Sequence, residues 1–152
     1  MLSLLQYADA LSKRASALED RAQRALLRAA NRGVTLARRR NQEVAFDTGA
    51  MASGWRSEAR GDDAAAVVNV KLHAPYVDDG RAAGAAPPFA VLVRWVERRM
   101  GVGGREAERI ALLISRKIAA RGIAGKQITT WLAKQLAPIA AAEVRREMEK
   151  EL

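Results

Sequence analysis

The sequence predicts an α+β fold in a single domain: a long N-terminal helix, a small antiparallel sheet and three C-terminal helices. Three observations predict it. Small and apolar residues keep a four-and-three spacing through the first 36 positions without a proline. Turn residues and an alternating apolar run crowd the stretch 46–80. Beyond residue 88 three segments return to helical spacing. The expected layout is a long helix over 1–45, the small sheet over 46–80, an exposed loop over 81–88 and a helical part over 89–152.

The first helix rests on Leu4, Ala8, Leu11, Ala15, Leu18, Ala22, Ala25, Ala29, Gly33 and Leu36, a heptad-like face flanked by charged residues. Such a helix would be roughly 60 Å long, more than the diameter of about 40 Å expected for a compact chain of this size. It must therefore break near Asn31-Arg32-Gly33 or project beyond its own domain. Because so many seam positions are alanine, the face is weak alone and wants tertiary or intersubunit support.

In Ala66-Val67-Val68-Asn69-Val70-Lys71-Leu72, alternation puts Val68, Val70 and Leu72 on one face of a strand. Residues 51–59 are expected to pair with it through the turn at 60–65. Because a lone hairpin is marginal, a further strand near Tyr76-Val77 or cover from the long helix is required. The small residues from Arg81 to Pro87 suit an exposed loop. Pro88 fits the first turn of a helix carrying Phe89, Leu92, Val93, Val96 and Met100. A second helix over 105–121 presents Ile110, Leu113, Ile114 and Ile118, with Gly122 as its stop. A third places Ile128, Leu132, Leu136 and Ile139 inward, with Pro138 expected to kink or restart it.

The chain has no cysteine and one histidine, which removes disulfides, thiolate zinc sites and histidine clusters. No metal or cofactor is expected. The first residues lack the basic and apolar regions of a signal peptide, and no apolar run approaches the roughly 18 residues of a membrane span. A soluble protein of a cytoplasm is expected, with no membrane partner. The net charge is +9. Residues 1–45 hold nine Lys/Arg against four Asp/Glu, residues 105–152 ten against six, and the stretch between balances at seven each. That surplus suits a nucleic acid, an acidic protein partner or solubility.

Asp47-Thr48-Gly49-Ala50 matches the signature around the catalytic aspartate of retroviral-type aspartic proteases. That site needs an apolar strand before the triplet, whereas here an arginine-rich helix precedes it. A turn in which Asp47 or Thr48 caps backbone donors is the simpler reading, and no catalytic residue is assigned. Gly101-Val102-Gly103-Gly104 lacks the lysine of a phosphate loop and reads as an interhelical turn. Asp62-Asp63 and Asp78-Asp79 read as solvated turns. Arg38-Arg39-Arg40 is the densest positive run and is either a phosphate-contacting cluster or a solvated helix end. Trp95 and Val91 lie off the main stripe of their helix, which points to an intersubunit surface there.

Taken in order, several of these motifs resemble one family. They are the long helix, Asp47-Thr48-Gly49, then Ala74-Pro75-Tyr76-Val77 with Gly80-Arg81. Pro87-Pro88 follows, leading into a helix containing Trp95-Val96, and then Ile118 to Ile123 before the last helix. The sequence resembles the tail-completion, or neck, proteins of long-tailed double-stranded DNA phages. Where that family more often has a charged residue and glycine-threonine after the tyrosine, this chain has Asp78-Asp79-Gly80-Arg81, as in a subgroup with a longer proline-bearing loop.

The resemblance implies an α+β subunit of a ring between head connector and tail, acting without catalysis. It also implies partners: further copies of the chain, the neighbouring connector or head-closure protein, and the tail-terminator or tail-tube proteins. The implied location is the neck or tail of the virion, after assembly in the host cytoplasm. On that reading Arg38, Arg39 and Arg40 lie near a channel that passes double-stranded DNA or near an acidic partner, and Arg81 and its loop grip neighbouring rings. Replacing the three arginines by glutamine is then expected to leave folding intact. A sequence-independent nucleic-acid-binding protein is the alternative, and an aspartic protease a distant third.

Overall fold

The computed structural model describes residues 3–45 and 47–150; the expected element ends at residues 1, 2, 46, 151 and 152 lie outside them. The elements run α1 (Leu4–Ala45), α2 (Ala50–Ser53), β1 (Trp55–Arg60), β2 (Ala64–Asn69), α3 (Ala74–Asp78), β3 (Gly80–Arg81), α4 (Phe89–Met100), α5 (Gly104–Arg121), β4 (Ile123–Ala124) and α6 (Ile128–Glu149). The fold is α+β, with the long first helix, the small antiparallel sheet and three C-terminal helices. The chain gathers into two compact units, one built from α1, α2, β1, β2 and α6, the other from α3, β3, α4, α5 and β4.

In the first unit α1 does not break. Alanine-rich sequence with no proline sustains it, and its start is fixed by a reciprocal cap: the Ser3 amide donates to Gln6 Oε1 at 2.9 Å and the Gln6 amide to Ser3 Oγ at 3.3 Å. Ala25, Ala29, Ala30, Gly33, Val34, Ala37 and Asn41 are buried, while every residue from Ser3 to Asp20 is exposed. Gly33 explains why the expected weak point is helical. A Cβ there would sit 2.8 Å from Leu136 Cδ2 and 2.9 Å from Val67 Cγ2, so the glycine lets α6 and β2 approach the helix backbone closely. α6 runs through Pro138 as one helix, without the expected restart, and, as expected, buries Ile128 and Leu132, with Leu136 and Ile139 half-buried.

The hairpin differs from its sequence reading at both ends. Residues 50–53 form one helical turn instead of the start of a strand, because the Thr48 hydroxyl accepts the Ala50 amide at 3.4 Å and Gly49 carbonyl accepts that of Ser53 at 3.0 Å. β1 then pairs antiparallel with β2 from Trp55↔Asn69 to Arg60↔Ala64. β2 stops at Asn69, where the side-chain oxygen accepts the Lys71 amide at 3.0 Å and the side-chain nitrogen donates to Met51 carbonyl at 2.9 Å. This local turn competes with the strand ladder. It leaves Val70 45% and Leu72 94% exposed instead of half-buried.

Tyr76-Val77 is not a third strand but lies in α3, where Pro75 occupies the first turn. Cover for the hairpin comes from α1. Gln23 Nε2 donates to the carbonyls of Gly61 at 3.0 Å and Ala64 at 3.2 Å, and Ser57 Oγ donates to Asn31 Oδ1 at 2.7 Å. The Trp55 indole, 2% exposed, donates to Asn41 Oδ1 at 3.4 Å.

In the second unit α4 and α5 form a hairpin around Val96, Ala107 and Ala111, with Leu92, Val93, Trp95, Val102, Ile110 and Ile114 packed against them. The facing row of α5 is therefore Ala107, Ala111 and Ser115, and Leu113, expected inward, is 66% exposed. Small residues at the contact bring the helices close and push the larger ones to its flanks. In the same unit β3 pairs antiparallel with β4, Gly80↔Ala124 and Arg81↔Ile123. Gly80 has φ +81, and a Cβ there would strike the Ile123 carbonyl and the Gly125 amide, so only glycine fits this crossing.

Gly33→Leu is expected to cost about 1–3 kcal/mol through overpacking, read as a lower urea midpoint. Ala10→Leu, on the exposed part of the same helix, should leave the midpoint nearly unchanged. Equal midpoints for the two variants would show that α6 does not approach α1 through residue 33.

Candidate functional site

The arginine run near the end of α1 does not form one free positive patch. Successive helical residues point about 100° apart, and the three side chains separate accordingly. Arg38 donates to the Trp55 carbonyl at 3.0 Å. Arg40 lies with its guanidinium 5.4 Å from the Trp131 ring centroid, a cation–π distance, and reaches Glu43 Oε2 at 3.4 Å. Arg38 is also exposed, and Arg39 extends into solvent, 80% exposed, with Glu43 Oε1 at 3.3 Å from its Nε. Arg38 and Arg40 therefore help hold the hairpin and α6 to α1, so replacing them is expected to lower stability while the chain still folds.

The stronger concentration of charge lies further back, where α1 and α6 run antiparallel. Glu143, whose side chain is 6% exposed, accepts from Arg28 Nε at 3.3 Å and Arg32 at 2.8 Å, with Arg146 at 3.9 Å. Glu147 receives Arg28 at 2.6 Å and Lys150 at 3.1 Å. Arg28, Asn31, Arg32, Glu143, Arg146 and Lys150 line an open groove of about 510 Å³. Four cations share two carboxylates there, so the groove keeps an excess of two positive charges. The Lys150 hydrogen bond and charge, with Arg28, hold the Glu147 carboxyl below its ordinary range against the opposing effect of desolvation. Such a groove suits phosphates or an acidic protein surface, held without reading sequence.

The remaining predicted residues are spread over both units. Thr48 and Gly49 form the turn into α2, and Asp47, exposed, precedes them; the segment before the triplet is helix α1, not an apolar strand. Tyr76 is 71% exposed at the surface of α3. Arg81 is paired through its backbone to Ile123, and its guanidinium donates to the Ala85 carbonyl. With the Gly84 amide donating to Ala119 carbonyl at 2.9 Å, the base of the 81–88 loop is pinned while residues 82–86 are exposed. Pro87 is half-buried, and the Pro88 carbonyl accepts the amides of Val91 at 3.1 Å and Leu92 at 3.3 Å, opening α4. Trp95 is half-buried in the α4–α5 contact, whereas Val91 is 53% exposed.

Sequence reasoning missed the groove because its two halves, Arg28, Asn31 and Arg32 on α1 and Glu143, Arg146 and Lys150 on and just after α6, lie more than 100 positions apart. The i to i+4 spacings Arg28/Arg32 and Glu143/Glu147 were the available signal: each puts two like charges on one helix face. No three His, Cys, Asp or Glu side chains come together among the described residues, and no described helix is long and apolar enough to cross a membrane. No protein-family model matches this sequence, and neither a curated protein nor a solved structure matches it.

Two outcomes are expected. Arg38→Gln and Arg40→Gln should each lower stability by about 1 kcal/mol, from a lost hydrogen bond and a lost cation–π contact, while Arg39→Gln leaves it nearly unchanged; equal urea midpoints would count against these placements. A carboxyl with a lowered folded-state pKa adds stability above its unfolded pKa and loses it as pH falls through the folded one. NMR titration should therefore find Glu147 below the ordinary glutamate value, with Lys150→Met moving it upward. An unmoved Glu147 would show that Lys150 does not hold it.

Proposed function

We propose that this chain is a structural subunit of a ring at the neck or tail end of a long-tailed double-stranded DNA phage, joining head to tail while letting DNA pass. The observation that carries the reading is the length of α1 left uncovered. Residues 3–20 extend about 27 Å and expose Leu4, Leu5, Tyr7, Leu11 and Leu18. An apolar helix face without cover inside its own subunit is what a subunit of a larger assembly carries. The order of motifs resembling tail-completion proteins supplies the particular assembly.

On this reading the work is geometric. Copies pack head to tail around an axis until the rotation closes, and exposed residues 82–86 and Tyr76 contact neighbouring connector, head-closure, tail-terminator or tail-tube proteins. Surplus cations in the Arg28/Arg32/Arg146/Lys150 groove, with Arg39, give DNA or an acidic neighbour a salt-sensitive contact. The chain acts in the virion and is assembled in the host cytoplasm, with neither metal nor cofactor taking part. The same groove favours a second reading, a free-standing protein that binds nucleic acid regardless of sequence.

Native mass separates the two. The chain alone and mixed with candidate connector or tail-tube proteins is expected to form a defined multimer on one of them. A chain that ignores all of them but binds duplex DNA as a monomer, with affinity falling steeply in salt, would replace the ring by the second reading.

A further inference from the structure

We infer that the N-terminal third of α1 pairs with the same segment of a second copy of this chain, parallel and in register. The seam Leu4, Ala8, Leu11, Ala15 and Leu18 continues without a phase change into Ala22, Ala25 and Ala29. From Ala25 that seam is buried within the unit; before residue 21 it is exposed on every described residue, Leu4 at 89% and Leu11 at 49%. One stripe thus has an internal partner at one end and none at the other. Its outer end is also a defined helix terminus, closed by the Ser3–Gln6 cap.

The charges beside the seam select both partner and orientation. With Ala8 and Ala15 at the first apolar position of each heptad, Arg14 lies at the position before the next heptad and Glu19 at the position after its second apolar residue, Leu18. In a parallel pair these two positions face each other across the seam, five residues apart in sequence. A second copy therefore supplies Glu19 to Arg14 and Arg14 to Glu19, twice by symmetry. Neither residue has an ion pair among the described residues of its own chain. An antiparallel pair would set the arginine flanks, Arg14 and Arg21, against each other. Five seam positions, two of them alanine, make a weak pair, so association should depend on concentration.

The inference draws on the same uncovered stretch of α1 that carries the ring proposal, but its tests read only two copies in solution, and none of their outcomes bears on connector or tail-tube binding. Because the chain has no cysteine, single cysteines report the geometry. In the full chain, Ala8→Cys should oxidise to a disulfide dimer at least tenfold faster than Ala10→Cys, which lies off the seam, because parallel, in-register helices bring two copies of residue 8 within disulfide reach; the charge exchange that follows separates this from an antiparallel pair crossing at residue 8. Adding Arg14→Glu to Ala8→Cys should slow the reaction several-fold, and adding Glu19→Arg as well should restore it. Without cysteines, native mass should move from one chain towards two as concentration rises, and Leu11→Ser with Leu18→Ser should hold it at one with helicity retained. Equal oxidation of Ala8→Cys and Ala10→Cys, no rescue by the double charge exchange, or a single-chain mass at every concentration would overturn the inference.

Discussion

The rest of the structure depends on a mismatch of lengths. α1 has 42 residues and α6, its antiparallel companion, has 22, or about 63 Å against about 33 Å. The pairing runs from Arg40 beside Trp131, through Gly33 under Leu136, to Arg28 between Glu143 and Glu147. The β1–β2 hairpin covers α1 over the same span, its turn held by Gln23. Both covers give out between residues 20 and 25, so the apolar stripe is packed on one side of that level and bare on the other.

Small residues decide how the covered half holds together. Ala25, Ala29, Ala30, Gly33 and Ala37 bury little area each, and what they provide is close approach. Dispersion contacts gain from that proximity, and the polar groups at the contact must then be matched. Several are: Asn41 accepts from Trp55, Asn31 from Ser57, and Glu143 from two arginines, while Gln23 Oε1 and Arg40 Nε are buried without a hydrogen-bond partner among the described residues. Glu143 shows the cost of this arrangement most clearly. A carboxylate so nearly buried is tolerable only with its cations in place, so the cations of the groove are structural at their inner edge and available only at their outer one.

The sequence disclosed elements where a single period dominates. The four-and-three spacing of α1, the helical segments α4 and α6 and a strand over Ala66-Val67-Val68-Asn69 were all legible, and so was the α+β class. What escaped it was decided by one side chain against a pattern. Asn69 ends β2 by bonding Lys71 locally, which overrides the alternation through Val70 and Leu72. Thr48 caps a helical turn where turn residues suggested a strand start. Pro75 was equally compatible with an extended segment and a helix start. Among candidate contacts, Arg38-Arg39-Arg40 read as one cluster because adjacency in sequence was taken for adjacency in space; helical geometry separates the three, and the charge that does gather comes from residues more than 100 positions apart.

A weak exposed seam is compatible with assembly in a way that a strong one is not. Had residues 4, 8, 11, 15 and 18 all been leucine, the arm would associate indiscriminately and early. With alanine at 8 and 15 the apolar gain per pair is smaller by about 2 kcal/mol for each position filled, at roughly 0.8 kcal/mol per carbon, and orientation falls to Arg14 and Glu19. Contacts of that size respond steeply to concentration, because holding two chains side by side raises their effective concentration towards the millimolar range. On the pairing inferred above, an alanine-leucine seam flanked by one self-complementary charge pair is open in a dilute chain and closes as copies become concentrated, whether in free solution or beside one another in an assembly.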